Sequence, residues 1–215
     1  TCGSVRPLRY LRLDDPVGKF CKDWPADKAA MRVGQLLEHR SGLPAEADWG
    51  GGRAAASRSA FAAIAATTLR SPPGQEVNYS ALNNNLLALV CEEAGGMRFD
   101  KLLQERALRP FGMSRAGTVA GRFDNRLLTA RRSAADETGE PATAFVWNWA
   151  HRGARGVLAS VLDVHELLRR VTDGKTLDAT ALARWLAPVD GGGRCSVATL
   201  DRGSSRLWRF VGDAA

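Results

Sequence analysis

The sequence predicts an α+β chain, mostly helical, with a β-hairpin towards its end. Three observations carry this. Apolar residues recur at helical spacing in three separate segments, 61–69, 82–90 and 161–171, each giving a helix with one buried face. CSVATL (195–200) and RLWRFVG (206–212) are joined by Asp201-Arg202-Gly203-Ser204-Ser205, the pattern of two strands and a turn. No internal repeat and no linker divides the 215 residues, so a single domain over 1–215 is expected.

The elements follow in order. LRLDDPVGKFCKDWP (11–25) is an extended, turn-rich lead-in, and Pro16 disfavours helix at Asp15. From Met31 to His39, Val33, Leu36 and Leu37 have helical spacing, and Ser41-Gly42-Leu43-Pro44 breaks it. Phe61, Ile64, Ala65, Thr68 and Leu69 form the next amphipathic helix, which stops at Ser71-Pro72-Pro73-Gly74. Ser80 is placed to cap a helix whose buried face is Leu82, Leu86, Leu89 and Val90 and which ends at Gly95-Gly96. The consecutive asparagines Asn83, Asn84 and Asn85 fall mainly between those apolar positions. Asp100 is expected to cap a short helix reaching Leu108, closed by Arg109-Pro110. Residues 114–145 are polar, arginine-rich and aperiodic, a loop with at most a short strand. Ser160 and Asp163 form an S-x-x-D capping box before a stripe of Val161, Val164, Leu167, Leu168 and Val171. Asp178 caps a last helix holding Leu182, Trp185 and Leu186.

Composition narrows the function classes. An apolar share of 45% and a charged share of 25% are those of a globular chain, and no run of 18 apolar residues offers a membrane span. The chain begins at Thr1, with no visible signal peptide. The net charge of +7 comes from arginine, since only lysines 19, 22, 28, 101 and 175 are present. Arg131-Arg132 and Arg169-Arg170 are isolated doublets rather than a basic stripe with aromatics between, which argues against nucleic-acid binding. Cysteines 2, 21, 91 and 195 and histidines 39, 151 and 165 make no zinc spacing, so no metal is expected. Cys91, beside Leu89 and Val90, reads as a small hydrophobe. A Cys2–Cys21 disulfide would need an oxidising compartment.

Five strips, taken together, carry a family resemblance. RLDDPVGKF resembles "LDLDDPVSKY", VGQLLEHRSGLP resembles "RQLLTHTSGLP", and PPGQEVNYSALNNNLLALV resembles "PGTxFxYSNxNYxLLGLI". ALRPFGMSRAGTV resembles "IFEPLGMxDT", and WNWAHRGARGVLASVLDVHELL resembles "WNLRGAGGLxSTAxDLxRW". In this order, over roughly residues 12–188, they are similar to the serine hydrolases that include class C β-lactamases, D-alanyl-D-alanine carboxypeptidases and related esterases. The resemblance implies a β-lactamase/transpeptidase-like α+β fold. This chain would supply mostly its helical part, incomplete at the nucleophile helix and at the C-terminal sheet. It implies a small acyl substrate (a β-lactam, a D-Ala peptide or an ester) and no cofactor. Family members are often periplasmic or secreted.

The resemblance also assigns residues. Tyr79 matches the family tyrosine that stands beside the nucleophilic serine and shuttles its proton. A phenol with an ordinary pKa of about 10 serves as a base only where cations favour the phenolate. The plainer reading of Tyr79 is a ring packed at a helix entrance. The asparagine of Y-x-N, which orients the substrate amide, is replaced by Ala81, and Asn83 matches a second, structural asparagine. The nucleophile needs a lysine one helical turn later to take its proton, and no serine here has lysine at the third position after it. Gly3-Ser4-Val5 resembles the strip that carries the nucleophile, making Ser4 the nearest candidate, but Pro7 stands where lysine is needed and Arg6 stays protonated. Eight residues separate Ser4 from Leu13, about 12 Å as helix, where the family has several turns. A K-T-G or H-x-G triplet is also missing: Lys175-Thr176 is followed by Leu177, and His151-Arg152-Gly153 lies upstream of the proper place. Arg155 replaces a glycine of its strip. Ser80 reads as a cap, His39 as a loop-fixing ring and His165 as solvent-facing. Three readings follow: an active serine acyl hydrolase, a silent relative or fragment that binds a ligand or partner, and an anion binder resting on charge alone. The expectation is the family, impaired in catalysis.

Overall fold

Asp15 organises the first described turn. Its carboxylate accepts the backbone N–H of Arg12 at 2.8 Å and the ammonium of Lys19 at 2.9 Å. These bonds hold its pKa below the ordinary carboxylate value. The strip is then zipped to 31–34: Val17 donates to Met31 O, Val33 to Asp15 O and Gly34 to Leu13 O. This is a computed structural model, and it describes residues 11–48, 57–118, 152–154, 156–186, 197–202 and 205–210.

Two 3-10 turns, Val17–Lys19 and Ala26–Lys28, lead into α1 (Val33–Leu37). That helix is shorter than the apolar spacing suggests. Gln35 folds back to accept the Arg32 N–H at its start, and His39 leaves helical space at its end with φ 53°. Helix α2 (Ser57–Ala65) begins four residues before the expected Phe61 and stops before Thr68 and Leu69. Helix α3 (Ala81–Gly95) has Ser80 as N-cap, its hydroxyl accepting from Leu82 N, and Gly96 as a left-handed C-cap at φ 60°. The expected cap at Asp100 is not observed. Helix α4 (Phe99–Leu103) starts two residues earlier, with Arg98 at the cap position, and the carboxylate of Glu92 takes the Phe99 N–H at 2.8 Å; Gln104–Leu108 continues as a π-helical turn. Short strands β1 (Gly117–Thr118) and β2 (Val157–Leu158) pair antiparallel. Helix α5 (Val161–Thr172) carries the expected capping box, and α6 (Ala179–Leu186) is capped by Asp178, which accepts from Ala181 N at 2.7 Å. Strands β3 (Val197–Arg202) and β4 (Ser205–Phe210) form the hairpin in antiparallel register, Arg202 opposite Ser205. That leaves two residues between the strands, fewer than the expected connection. The α+β expectation holds: among the described residues the body is mostly helical with a small antiparallel sheet content.

The main core gathers Val17, Met31, Val33, Leu36, Leu43, Phe61 and Ile64 around Leu82, Leu86, Leu89 and Val90 of α3. Helices α1, α2 and α4 all contact α3. A second cluster joins Leu108, Met113 and Ala116 to Leu167 of α5. Asp163 ties α5 to it. Burial pushes the Asp163 carboxyl up, but bonds from the Ser160 hydroxyl and N–H and from Arg115 N–H outweigh this and hold it below its ordinary pKa. Val161, read as part of the α5 stripe, is 86% exposed. The stripe is buried instead at Val171 and half-buried at Val164, Leu167 and Leu168. Cys91 is half-buried and its thiol is pushed up to about 11 by that burial, which makes it inert at neutral pH. Cys21 is a free thiol, and its proposed partner Cys2 lies outside the described residues.

Gly42 and Gly96 both have positive φ, but only Gly42 is crowded: a Cβ there would sit 1.9 Å from Ser71 O, whereas one at Gly96 meets open space. Gly96→Ala should therefore cost about 1 kcal/mol from backbone strain alone, and Gly42→Ala on the order of 3 kcal/mol or more, since the backbone of 70–72 must also move. Urea denaturation midpoints of the two variants measure the difference.

Candidate functional site

The turn 38–44 and the segment 74–80 are knitted together before any side chain is considered. Asn78 N donates to His39 O at 2.8 Å, Gly74 N to Arg40 O at 2.7 Å, and Arg70 N to Gly42 O at 2.8 Å. The Arg40 guanidinium adds bonds to Gly74 O at 3.2 and 3.3 Å. This frame brings the chain to α3 with Tyr79 one residue ahead of the cap.

Tyr79 is 64% exposed. Its ring rests on His39, centroids 4.8 Å apart and planes tilted by 39°. It therefore sits at the helix mouth, open to solvent and backed by the imidazole. Ser80 is fully buried. Its hydroxyl donates to Pro44 O at 2.5 Å and accepts from Leu82 N at 3.1 Å, so its proton and one lone pair are both committed and it is a cap. Ala81 brings no polar group beside Tyr79.

Behind Tyr79 lies a buried polar relay. Leu43 N donates to Ser41 Oγ at 3.1 Å, Ser41 Oγ donates to Asn83 Oδ1 at 2.5 Å, and the Asn83 amide meets His39 Nδ1 at 3.0 Å. Ser80 N approaches the same nitrogen at 3.4 Å. With two N–H donors aimed at it, Nδ1 is the acceptor and the ring proton belongs on Nε2. Burial lowers the His39 pKa below its ordinary 6.5, which keeps the ring neutral.

Asn85 makes a second crosslink. Its Oδ1 accepts Gly153 N at 3.0 Å and Ala154 N at 3.1 Å. Gly153 lies so close to α3 that a Cβ would stand 2.3 Å from Asn84 O. The Gly153-Ala154 pair is thus a clip onto the helix, Gly153 lies on no strand, and His151 lies outside the described residues. The asparagines were expected mainly between buried positions. Asn83 and Asn85 are instead themselves buried, because α3 is covered on several sides. The signal lay in the sequence: amides directly next to Leu82 and Leu86 cannot all face water.

Of the other candidates, Ser4 and Arg155 lie outside the described residues. Lys175 and Thr176 donate their N–H groups to Asp173 in a turn after α5 and lie on no strand. His165 is exposed on α5. Among the described residues, no group of three His, Cys, Asp or Glu side chains could hold a metal, and no helix is long and apolar enough to cross a membrane.

Residues 9–194 match the protein family described as Beta-lactamase. No curated protein matches. Among solved structures, D-amino acid amidase from Ochrobactrum anthropi SV3, complexed with L-phenylalanine amide, is similar at 22% identity and a TM-score of 0.68, over 96% of this chain and 64% of that one. A penicillin binding protein from Bacillus halodurans is similar at 19% identity and a TM-score of 0.66, over 83% and 58%. D-alanine carboxypeptidase AmpC from Burkholderia cenocepacia is similar at 18% identity and a TM-score of 0.61, over 81% and 46%. The chain thus spans less than two thirds of each. At these identities the likeness speaks for the fold.

Asn83→Ala would strand the Ser41 proton and empty the acceptor His39 Nδ1 of its main donor. A loss of about 2–3 kcal/mol is expected. Tyr79→Phe removes a solvent-facing hydroxyl and should stay within about 0.5 kcal/mol of the parent. Equilibrium urea unfolding of both variants checks the contrast.

Proposed function

The chain belongs to the beta-lactamase family, and from that premise we propose that it carries the tyrosine-bearing part of a serine acyl hydrolase site while being impaired, as these 215 residues, in acyl transfer. The observation that carries this reading is the contrast at the mouth of α3. Tyr79 is presented to solvent, whereas the hydroxyl next to it, on Ser80, is buried and locked between Pro44 O and Leu82 N. A phenol is placed for proton transfer, but its neighbour cannot serve as nucleophile.

The sequence supports the same conclusion. Acyl transfer needs a hydroxyl whose proton is taken as it attacks a carbonyl. No serine has a lysine one helical turn on, Arg6 near Ser4 stays protonated, and His39 Nδ1 is occupied by its own donors. Ala81 leaves the substrate amide without the side-chain partner that Y-x-N supplies. The substrate class is a small acyl compound, an amide, β-lactam or ester, approaching Tyr79 from the solvent side.

The test is acylation of the isolated chain. Incubation with a fluorescent penicillin and, separately, with a fluorophosphonate probe should leave the intact mass at 23.1 kDa, while an active family enzyme labels in parallel. A stable adduct mapped to any serine overturns the reading.

A further inference from the structure

We infer that His39 is a positioning residue for Tyr79: its neutral ring latches the 38–44 turn to the start of α3 and sets the tyrosine, and a second proton on the ring opens that latch. The inference rests on Tyr79 having the role proposed above.

Three contacts from one residue bracket Tyr79. The residue before it donates to the His39 carbonyl, Asn78 N to O at 2.8 Å. The residue after it donates to the His39 ring, Ser80 N to Nδ1 at 3.4 Å. Its own ring packs on the imidazole at 4.8 Å. His39 adopts φ 53°, a left-handed conformation uncommon outside glycine, asparagine and aspartate. That conformation turns both its carbonyl and its ring towards 78–80.

The relay behind the ring has one direction. Leu43 N–H occupies the Ser41 oxygen, Ser41 O–H points at Asn83 Oδ1, and the Asn83 NH2 is left to face His39 Nδ1. A proton on Nδ1 would confront two donors. Turning the Asn83 amide over would strand the Ser41 proton. No arrangement of these groups satisfies all of them with a doubly protonated ring, so protonation breaks bonds at the point that holds Tyr79.

The charged groups around the ring do not compensate. Glu38 and Arg40 flank it in its own segment, and the Arg40 guanidinium donates to Gly74 O. On the facing segment Glu76 accepts from Asn78. Beyond the turn Glu46 is exposed. Helix α1 has no charge, and α3 has none before Glu92. Burial is the cause that lowers His39. With the folded pKa below 6.5, the unfolded chain binds the proton first. The latch contribution is complete above 6.5 and is lost as pH falls through the lower folded value.

The test uses the whole chain labelled with 13C-tyrosine, which gives two ring signals, Tyr10 and Tyr79, assigned with Y79F. His39→Asn keeps an acceptor oxygen where Nδ1 stood, tolerates positive φ and does not titrate. The Tyr79 signal of the parent is expected to move through one inflection below pH 6.5 and to be flat in H39N. The imidazole 15N shifts of the parent should show the Nε2–H form at neutral pH. An Nδ1–H form, a flat Tyr79 titration in the parent or the same inflection in H39N would overturn the inference. Should H39N not fold, the two measurements on the parent decide alone. Serine acylation is read separately: an adduct removes the proposed function and leaves the latch standing, and a flat titration does the reverse.

Discussion

The structure depends on helix α3 being sunk into the core while carrying amides on two of its sides. A buried amide without partners costs on the order of 1–3 kcal/mol for each stranded group. The partners must lie within about 3.2 Å, a far narrower tolerance than apolar packing imposes. Asn83 therefore fixes the turn 38–44, and Asn85 fixes the loop at 153–154. Leu82, Leu86 and Leu89 between them supply the adhesion, at roughly 1.5–3 kcal/mol for each buried side chain. The apolar residues hold the helix in place and the amides decide which part of the chain it is held against.

This division of labour explains what could be read in advance. Caps and stops are local, and they were legible: Ser80, Ser160 with Asp163, Asp178 and Gly96 all act within a few residues of themselves. The β3–β4 hairpin was legible as a hairpin, but its strands extend through Asp201, Arg202 and Ser205, which were expected to connect them. The failure at Asp100 has a physical cause, because the group that takes the Phe99 N–H is Glu92, seven positions upstream on another helix. Helix α1 is short for a different, local reason, a side-chain cap from Gln35 at one end and the positive φ of His39 at the other. The side-chain crosslinks at the site span more than thirty residues, from Arg40 to Gly74 and from Ser41 to Asn83. Spacing rules carry no information at that range. Tyr79 and His39 could be singled out because they sit in strips similar to those of a known family; that the imidazole bears on the phenol emerged only in three dimensions.

Holding a tyrosine and using it are separable tasks. The first is structural, and the relay from Leu43 to His39 performs it without any substrate. The second needs a proton acceptor of suitable basicity beside a free hydroxyl, together with cations that favour a phenolate. At the mouth of α3 the neighbouring hydroxyl is a cap and the Arg40 guanidinium is turned onto a carbonyl. The packing that holds the turn 38–44 against α3 draws on none of the groups that acyl transfer would use.

The magnitudes make the separation sharp. A well-placed proton-transfer group contributes about 10²–10⁴-fold to a rate. Groups that act as one unit are strongly non-additive, so losing one costs nearly as much as losing all. A correctly set Tyr79 therefore confers no proportionate share of activity without an activated nucleophile. A TM-score of 0.68 at 22% identity speaks for the fold alone. The core that produces such likeness is built from Leu82, Leu86, Leu89 and their contacts, and that packing is indifferent to whether a serine is ever deprotonated. Shape and proton transfer answer to different demands: the first needs apolar area removed from water, the second a base within hydrogen-bond reach of a free hydroxyl.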